Sequence, residues 1–151
     1  MENMAIIYAS VHHKNTKKLV EGIALEYKVD LFEVSEASNI DFTQYKIVGF
    51  ASGIYMSSFH KSLFNFLEEH PVLPNKAFLM YTSGSENNKY AESFIKKLAM
   101  KNIAVIGVYN CKGYDTYGHW KLIGGIAKGH PSKEDISKGI DFINNVIVKN
   151  L

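Results

Sequence analysis

The chain has 151 residues, 46% of them hydrophobic and 21% charged, enough for one domain with a sizeable core. Its single cysteine, Cys111, excludes an internal disulfide and any multi-cysteine metal site. All seventeen basic residues are lysines, against fifteen acidic residues; the net charge of +2 does not point to nucleic acid, and the lack of arginine argues against guanidinium clamps.

No stretch approaches the run of about 18 apolar residues that a membrane span needs. The opening MENMAIIYAS lacks the basic region and cleavage site of a signal peptide. The expected location is therefore cytoplasmic.

The first strand is expected over residues 5–9, an apolar run. Residues 10–16 follow with no second apolar run. A helical pattern then begins, with Leu19, Val20, Ile23 and Ala24 on one face. A strand that ends in a hydroxyl- and amide-rich turn before a helix start is a geometry suited to phosphate, because the first helical turn leaves N–H groups unpaired. Ser10, Asn15 and Thr16 add side-chain donors, and His12, His13 and Lys14 add donors or positive charge. The alternative is an ordinary strand–helix loop in which Asn15 or Thr16 serves only as N-cap. Neither GxxxxGK[ST] nor GxGxxG is present.

Residues 28–34 (KVDLFEV) alternate as a half-buried or edge strand does, whereas 47–51 (IVGFA) are apolar throughout, like a central parallel strand. Residues 59–69 place Phe59, Leu63, Phe66 and Leu67 on one helical face. A further strand is expected over 77–81, a helix over 90–100 and the last strand over 103–108. Residues 110–130 hold five glycines and little periodicity; a loop of that length is usually functional. Ser132-x-x-Asp135 is a capping signature for a final helix that buries Ile136, Ile140, Phe142, Ile143 and Ile147.

Strands alternating with helices imply a single α/β domain over residues 1–151, a parallel sheet with helices on both faces. Ligands of such sheets sit at the carboxyl ends of the strands. The segments there are 10–16, 52–58, 82–88 and 110 onward, each polar. Gly53, Ile54, Tyr55 and Met56 add flat or soft apolar groups that suit a planar ring. A phosphate pocket beside an apolar slot describes a mononucleotide with a large planar head.

On these residues the chain resembles the flavodoxin superfamily. IIYASVHHKNTKKLVEGIA is similar to the family's phosphate loop, with one extra residue and Lys14 where glycine is expected. VGFASGIYMSSFHKSLFNFL resembles the flavin-contacting loop, in the layout of the menaquinone-dependent protoporphyrinogen oxidases. CKGYDTYGHWKLIGGIAKGHPSKEDI resembles a group of small flavodoxin-domain proteins. The resemblance implies a three-layer sandwich with five parallel strands in the order 2-1-3-4-5. It implies flavin mononucleotide (FMN) as cofactor and electron transfer as function, with a redox partner protein or small acceptor. Two alternatives accompany it: an oxidoreductase acting on a quinone or porphyrinogen-like substrate, and a module without cofactor.

Carried over residue by residue, Ser10, His12, Asn15 and Thr16 would bind the phosphate, helped by the amides of His13 and Lys14. Ser52, Gly53, Ile54, Tyr55 and Met56 would lie along the ring. Thr82, Ser83, Gly84 and Ser85 would face its polar edge. Cys111, Lys112, Gly113 and Tyr114 would close the pocket. Tyr114 or Tyr117 would supply a second aromatic opposite Tyr55. No side chain is assigned a catalytic role and no metal site is expected, since adjacent histidines such as His12 and His13 point apart. His60 is expected to cap or pack near its loop, and Cys111 to act as a small buried hydrophobe. Lys112, Lys121 and Lys128, against Asp115, make the long loop locally basic.

Overall fold

The computed structural model describes residues 4–11, 13–85, 87–114 and 124–150, without the side chain of Ile147. Three strands with both faces covered form its middle: β1 (Met4–Ala9), β3 (Ile47–Tyr55) and β5 (Lys76–Ser83). The edges are β2 (Asp30–Glu33) and β6 (Ala104–Lys112). The five strands run parallel in the order β2-β1-β3-β5-β6, as expected for five strands counted in sequence. A short β4 (Ser58–Phe59), not foreseen, pairs antiparallel with the end of β3.

Strand alternation explains the unbroken apolar runs. Ala5, Ile7, Val48, Phe50, Leu79 and Tyr81 point to one face, where they pack with Leu63, Phe66 and Leu67 of α2 (Lys61–Glu69) and Phe94 and Leu98 of α3 (Glu92–Met100). Ile6, Tyr8, Ala51, Phe78 and Met80 point to the other, against Leu19, Val20 and Ile23 of α1 (Asn15–Glu26) and Ile143 and Val146 of α4 (Lys133–Asn150). Both faces are buried, so both sets of alternating positions in these runs are apolar. Gly49 is required by this packing: a Cβ there would lie 2.3 Å from Cζ of Phe78.

Several boundaries differ from the pattern reading. β3 runs four residues past its apolar core, to Tyr55, because pairing with β4 satisfies the backbone there. Phe59 consequently belongs to β4 and not to α2. β6 continues to Lys112, pairing with Ser83 of β5, so Cys111 and Lys112 are strand residues. The expected capping box at α4 is present: Ser132 Oγ accepts from the Asp135 N–H (3.1 Å) and Asp135 Oδ2 from the Ser132 N–H (2.7 Å). On α4, Val146 is buried along with Ile143, whereas Ile136, Ile140 and Phe142 are half-buried. Ile147 falls outside the described side chains.

Candidate functional site

A pocket of about 320 Å³ opens at the carboxyl ends of the central strands. The start of α1 contributes Asn15 and Thr16, and the β3–β4 hairpin contributes Gly53, Ile54, Tyr55, Met56 and Ser57. The end of β5 and the turn after it add Thr82, Ser83, Gly84, Ser85 and Tyr90; the end of β6 adds Gly113 and Tyr114. None of the described lining residues carries a formal charge.

One end of the pocket is built by the turn between β1 and α1. Ser10 Oγ accepts the Lys17 N–H (3.0 Å), and Lys18 N–H bonds back to the Lys14 carbonyl (2.9 Å). The N–H groups of Asn15 and Thr16, at the first two helical positions, have no acceptor within the helix. No acidic residue occupies that first turn, so the turn's own side chains leave the positive end of the helix dipole unneutralised. Lys14 is the residue before the helix, in a left-handed conformation (φ 52°, ψ 34°) with no side-chain cap. Asn15 and Thr16 are thus helical residues and not caps. His13 is also left-handed, at φ 52°.

The turn is locked to its surroundings. Thr16 and Thr82, both buried, share a hydroxyl–hydroxyl hydrogen bond of 3.1 Å. Asn15 Nδ2 donates to the Tyr114 carbonyl (2.8 Å). Gly113 lies so close to Asn15 that a Cβ would come within 2.7 Å of Nδ2. The His13 ring tilts against that of Tyr114, with centroids 4.4 Å apart.

The other end is built by the hairpin. Met56 (φ 51°) and Ser57 (φ 63°) form its two-residue turn between the paired Tyr55 and Ser58. Two positive φ angles in a two-residue hairpin turn match the twist of the strands, although Asn and Gly are the usual occupants. Met56 is 95% exposed. Ser52 is fully buried and serves as an anchor: Oγ accepts the His60 N–H (2.9 Å) and donates to the Gly53 carbonyl (2.6 Å). Tyr55 folds back toward the β1–α1 turn, where its hydroxyl accepts the Val11 N–H (3.1 Å). Its ring meets His60 edge-on at 4.9 Å.

His60 caps α2, with Nδ1 accepting the Ser62 N–H (3.1 Å) and lying 2.7 Å from Ser62 Oγ. A nitrogen that accepts an N–H carries no proton, so the ring is the neutral Nε2–H tautomer. Burial first, and then the charge of Lys61, lower its pKa from the ordinary value.

Twelve of the residues singled out from the sequence line the pocket together: Asn15, Thr16, Gly53, Ile54, Tyr55, Met56, Thr82, Ser83, Gly84, Ser85, Gly113 and Tyr114. Ser10, His13, Lys14 and Ser52 are not among the lining residues: Ser10 bonds Lys17, Ser52 bonds His60 and Gly53, His13 meets the Tyr114 ring, and Lys14 is exposed. Cys111 is 5% exposed in the core beneath α1 and α4. Burial, and next the charge of Asp135, push its thiol up to about 12. Lys112 is exposed at the end of β6. His12, Asp115, Tyr117, Trp120 and Lys121 lie outside the described residues. Ser57 and Tyr90 line the pocket without having been singled out. Tyr90 carries a signal in the sequence, as an aromatic that closes the polar turn after β5. Among the described residues no group of three or more His, Cys, Asp or Glu could hold a metal ion, and no helix is long and apolar enough to cross a membrane.

The profile of the flavodoxin domain family matches residues 5–121, and the chain belongs to that family. An uncharacterised protein of Methanocaldococcus jannaschii is 38% identical over 144 residues, covering 94% of this chain and 96% of its own. Among solved structures, general stress protein 14 of Treponema denticola in complex with FMN superposes with a TM-score of 0.65 at 9% identity, over 97% of this chain and 99% of that one. A flavoprotein of Lactobacillus acidophilus in complex with FMN gives 0.60 at 19% identity, over 73% and 93%. At these identities the likeness is one of fold.

Proposed function

We propose that the chain is an FMN-binding electron-transfer protein, acting as one domain in the cytoplasm on a redox partner protein or small acceptor. The observation that carries this reading is the pairing, within one pocket, of the N-terminus of α1, whose first turn holds no acidic residue, with walls made of Tyr55, Tyr90 and Tyr114. An anion and a flat aromatic body fit the two ends of that pocket. The close approach of Gly113 to Asn15 supports the fit, since any side chain at 113 would push into the phosphate end. The two FMN complexes of like fold accord with this reading.

When bound, FMN supplies the one- and two-electron redox chemistry. The chain's own residues do the rest. The N–H groups of Asn15 and Thr16 hold the phosphate at the helix terminus. Tyr55 and Tyr90 present aromatic surface to the ring. The backbone of residues 82–85 offers donors and acceptors to its polar edge. Among the described lining residues none is charged, so these would act on the electronics of the ring through backbone and hydroxyl dipoles.

The test is the absorption spectrum of the purified protein, followed by titration of the flavin-free protein. The expected result is a yellow protein that takes up one FMN per chain and binds riboflavin more weakly. A colourless protein that ignores added FMN overturns the reading.

A second reading, reduction of a quinone-like substrate, draws on the exposed apolar side chains of Met56 (95%) and Val11 (57%) beside the pocket. Stopped-flow mixing of the reduced protein with a soluble quinone separates the two. Saturable, rapid oxidation favours the enzyme, and slow unsaturable oxidation favours the carrier.

A further inference from the structure

Tyr55 belongs to the ring end of the pocket by sequence position, at the tip of β3, yet its hydroxyl is bonded to the phosphate end. The hydroxyl accepts the N–H of Val11, 44 residues away, at 3.1 Å. The hydroxyl end of the side chain reaches that point by passing close over Gly53. A Cβ on Gly53 would come within 2.7 Å of the Tyr55 oxygen and 3.1 Å of Cζ. The edge-on contact with His60 supports the ring from the other side, and His60 is itself fixed by its cap on α2 and by its N–H to Ser52.

The donors of the β1–α1 turn are thereby shared out. Lys17 gives its N–H to Ser10 and Val11 gives its N–H to Tyr55. Asn15 and Thr16 line the pocket, and their N–H groups, with no acceptor within the helix, are available to an anion there. The turn also holds two consecutive left-handed non-glycine residues, His13 and Lys14, a conformation that persists only where neighbouring contacts enforce it. The Val11–Tyr55 bond is one such contact, made just before the strained pair.

We propose that Tyr55 is a positioning residue for phosphate: through Val11 it holds the β1–α1 turn in the shape that binds an anion, so it sets the preference for FMN over riboflavin. This rests on the flavin reading of the pocket. An aromatic that served only to stack on the ring would contribute equally to both ligands. A hydroxyl that orders the phosphate turn contributes to FMN alone.

The experiment measures dissociation constants of FMN and riboflavin by flavin fluorescence, and of inorganic phosphate by amide shifts of the turn. The proteins compared are wild type, Tyr55→Phe, Gly53→Ala and the double variant. Tyr55→Phe keeps the ring and removes the hydroxyl. Gly53→Ala keeps Tyr55 but crowds its hydroxyl away from Val11, at the free end of a side chain that is able to move. Loss of one hydrogen bond lowers affinity by about fivefold. The expected result is that loss for FMN and phosphate in both single variants, a smaller loss for riboflavin than for FMN in Tyr55→Phe, where the ring is kept, and no further loss of phosphate affinity in the double variant, as residues acting through one contact require. Equal losses for FMN and riboflavin in Tyr55→Phe, or none for either, overturn the proposal. If the wild type binds neither flavin, the flavin reading fails separately. The phosphate arm then decides Tyr55, and equal phosphate affinity in wild type and Tyr55→Phe overturns it.

Discussion

Thr16 and Thr82 meet in the wall of the pocket with their hydroxyl oxygens 3.1 Å apart and both side chains buried. One comes from the first turn of α1 and the other from the end of β5, so the bond ties the start of α1 to the central sheet. Removing one partner strands the other, while removing both need not. Thr82→Val should lower stability by about 1–2 kcal/mol in urea unfolding. Thr16→Val with Thr82→Val should recover most of that loss yet bind FMN less tightly than wild type. A double variant as unstable as the sum of the singles would locate the loss elsewhere.

His60 makes stability depend on pH. Its pKa is lowered in the folded protein from the ordinary 6.5, by burial and then by Lys61. The unfolded chain therefore binds the proton more readily, and stability rises with pH wherever that difference holds. The contribution is complete above 6.5 and is lost as pH falls from there toward the depressed folded value. His60→Asn keeps an N-cap and removes the titration. Urea midpoints measured from pH 7.5 downward should fall less steeply for this variant than for wild type.

The thiol of Cys111 is expected to be inert. It is buried in the core and pushed up to about 12, so almost none is thiolate at neutral pH, and the thiolate is the reactive form. A disulfide reagent at pH 8 should leave the native protein unlabelled and label one site once denaturant is added. Rapid labelling of the native protein would mean that the thiol reaches solvent.

Gly49→Ala tests the fit of the sheet to its helices. The new Cβ would fall 2.3 Å from Cζ of Phe78, a fully buried ring. Overpacking of this kind costs about 1–3 kcal/mol, which thermal unfolding should register. Adding Phe78→Leu should return part of the loss. An unchanged midpoint in Gly49→Ala would show that Phe78 swings aside freely.

The central strands were legible because a strand with two buried faces leaves an unbroken apolar run, as at residues 5–9, 47–51 and 77–81. The capping box at Ser132 was legible because two side chains and their spacing define it. The β3–β4 hairpin was hidden: its turn is Met56-Ser57, and two-residue turns announce themselves through Asn and Gly. The end of β6 was hidden for another reason. Its last residues, from Tyr109 to Lys112, do not form an apolar run, and pairing with β5 extends the strand regardless. Most of the pocket lining could be named from the segments at the strand ends. The direction of a side chain within such a segment could not. Tyr55 turning back over a glycine toward Val11, and Ser52 turning into the core, depend on contacts between residues distant in sequence or on hairpin geometry.

Four non-glycine residues around the pocket, His13, Lys14, Met56 and Ser57, have φ between 51° and 63°. Each such residue is less stable there than glycine by about 1 kcal/mol, so this rim is where a lineage under heat would be rewritten first. A library selected only for thermal survival should accumulate glycine at these positions before it alters any core residue. A parallel library selected for retained ligand should resist that drift. The divergence between the two would measure, position by position, how much of the rim's chemistry is owed to what it holds.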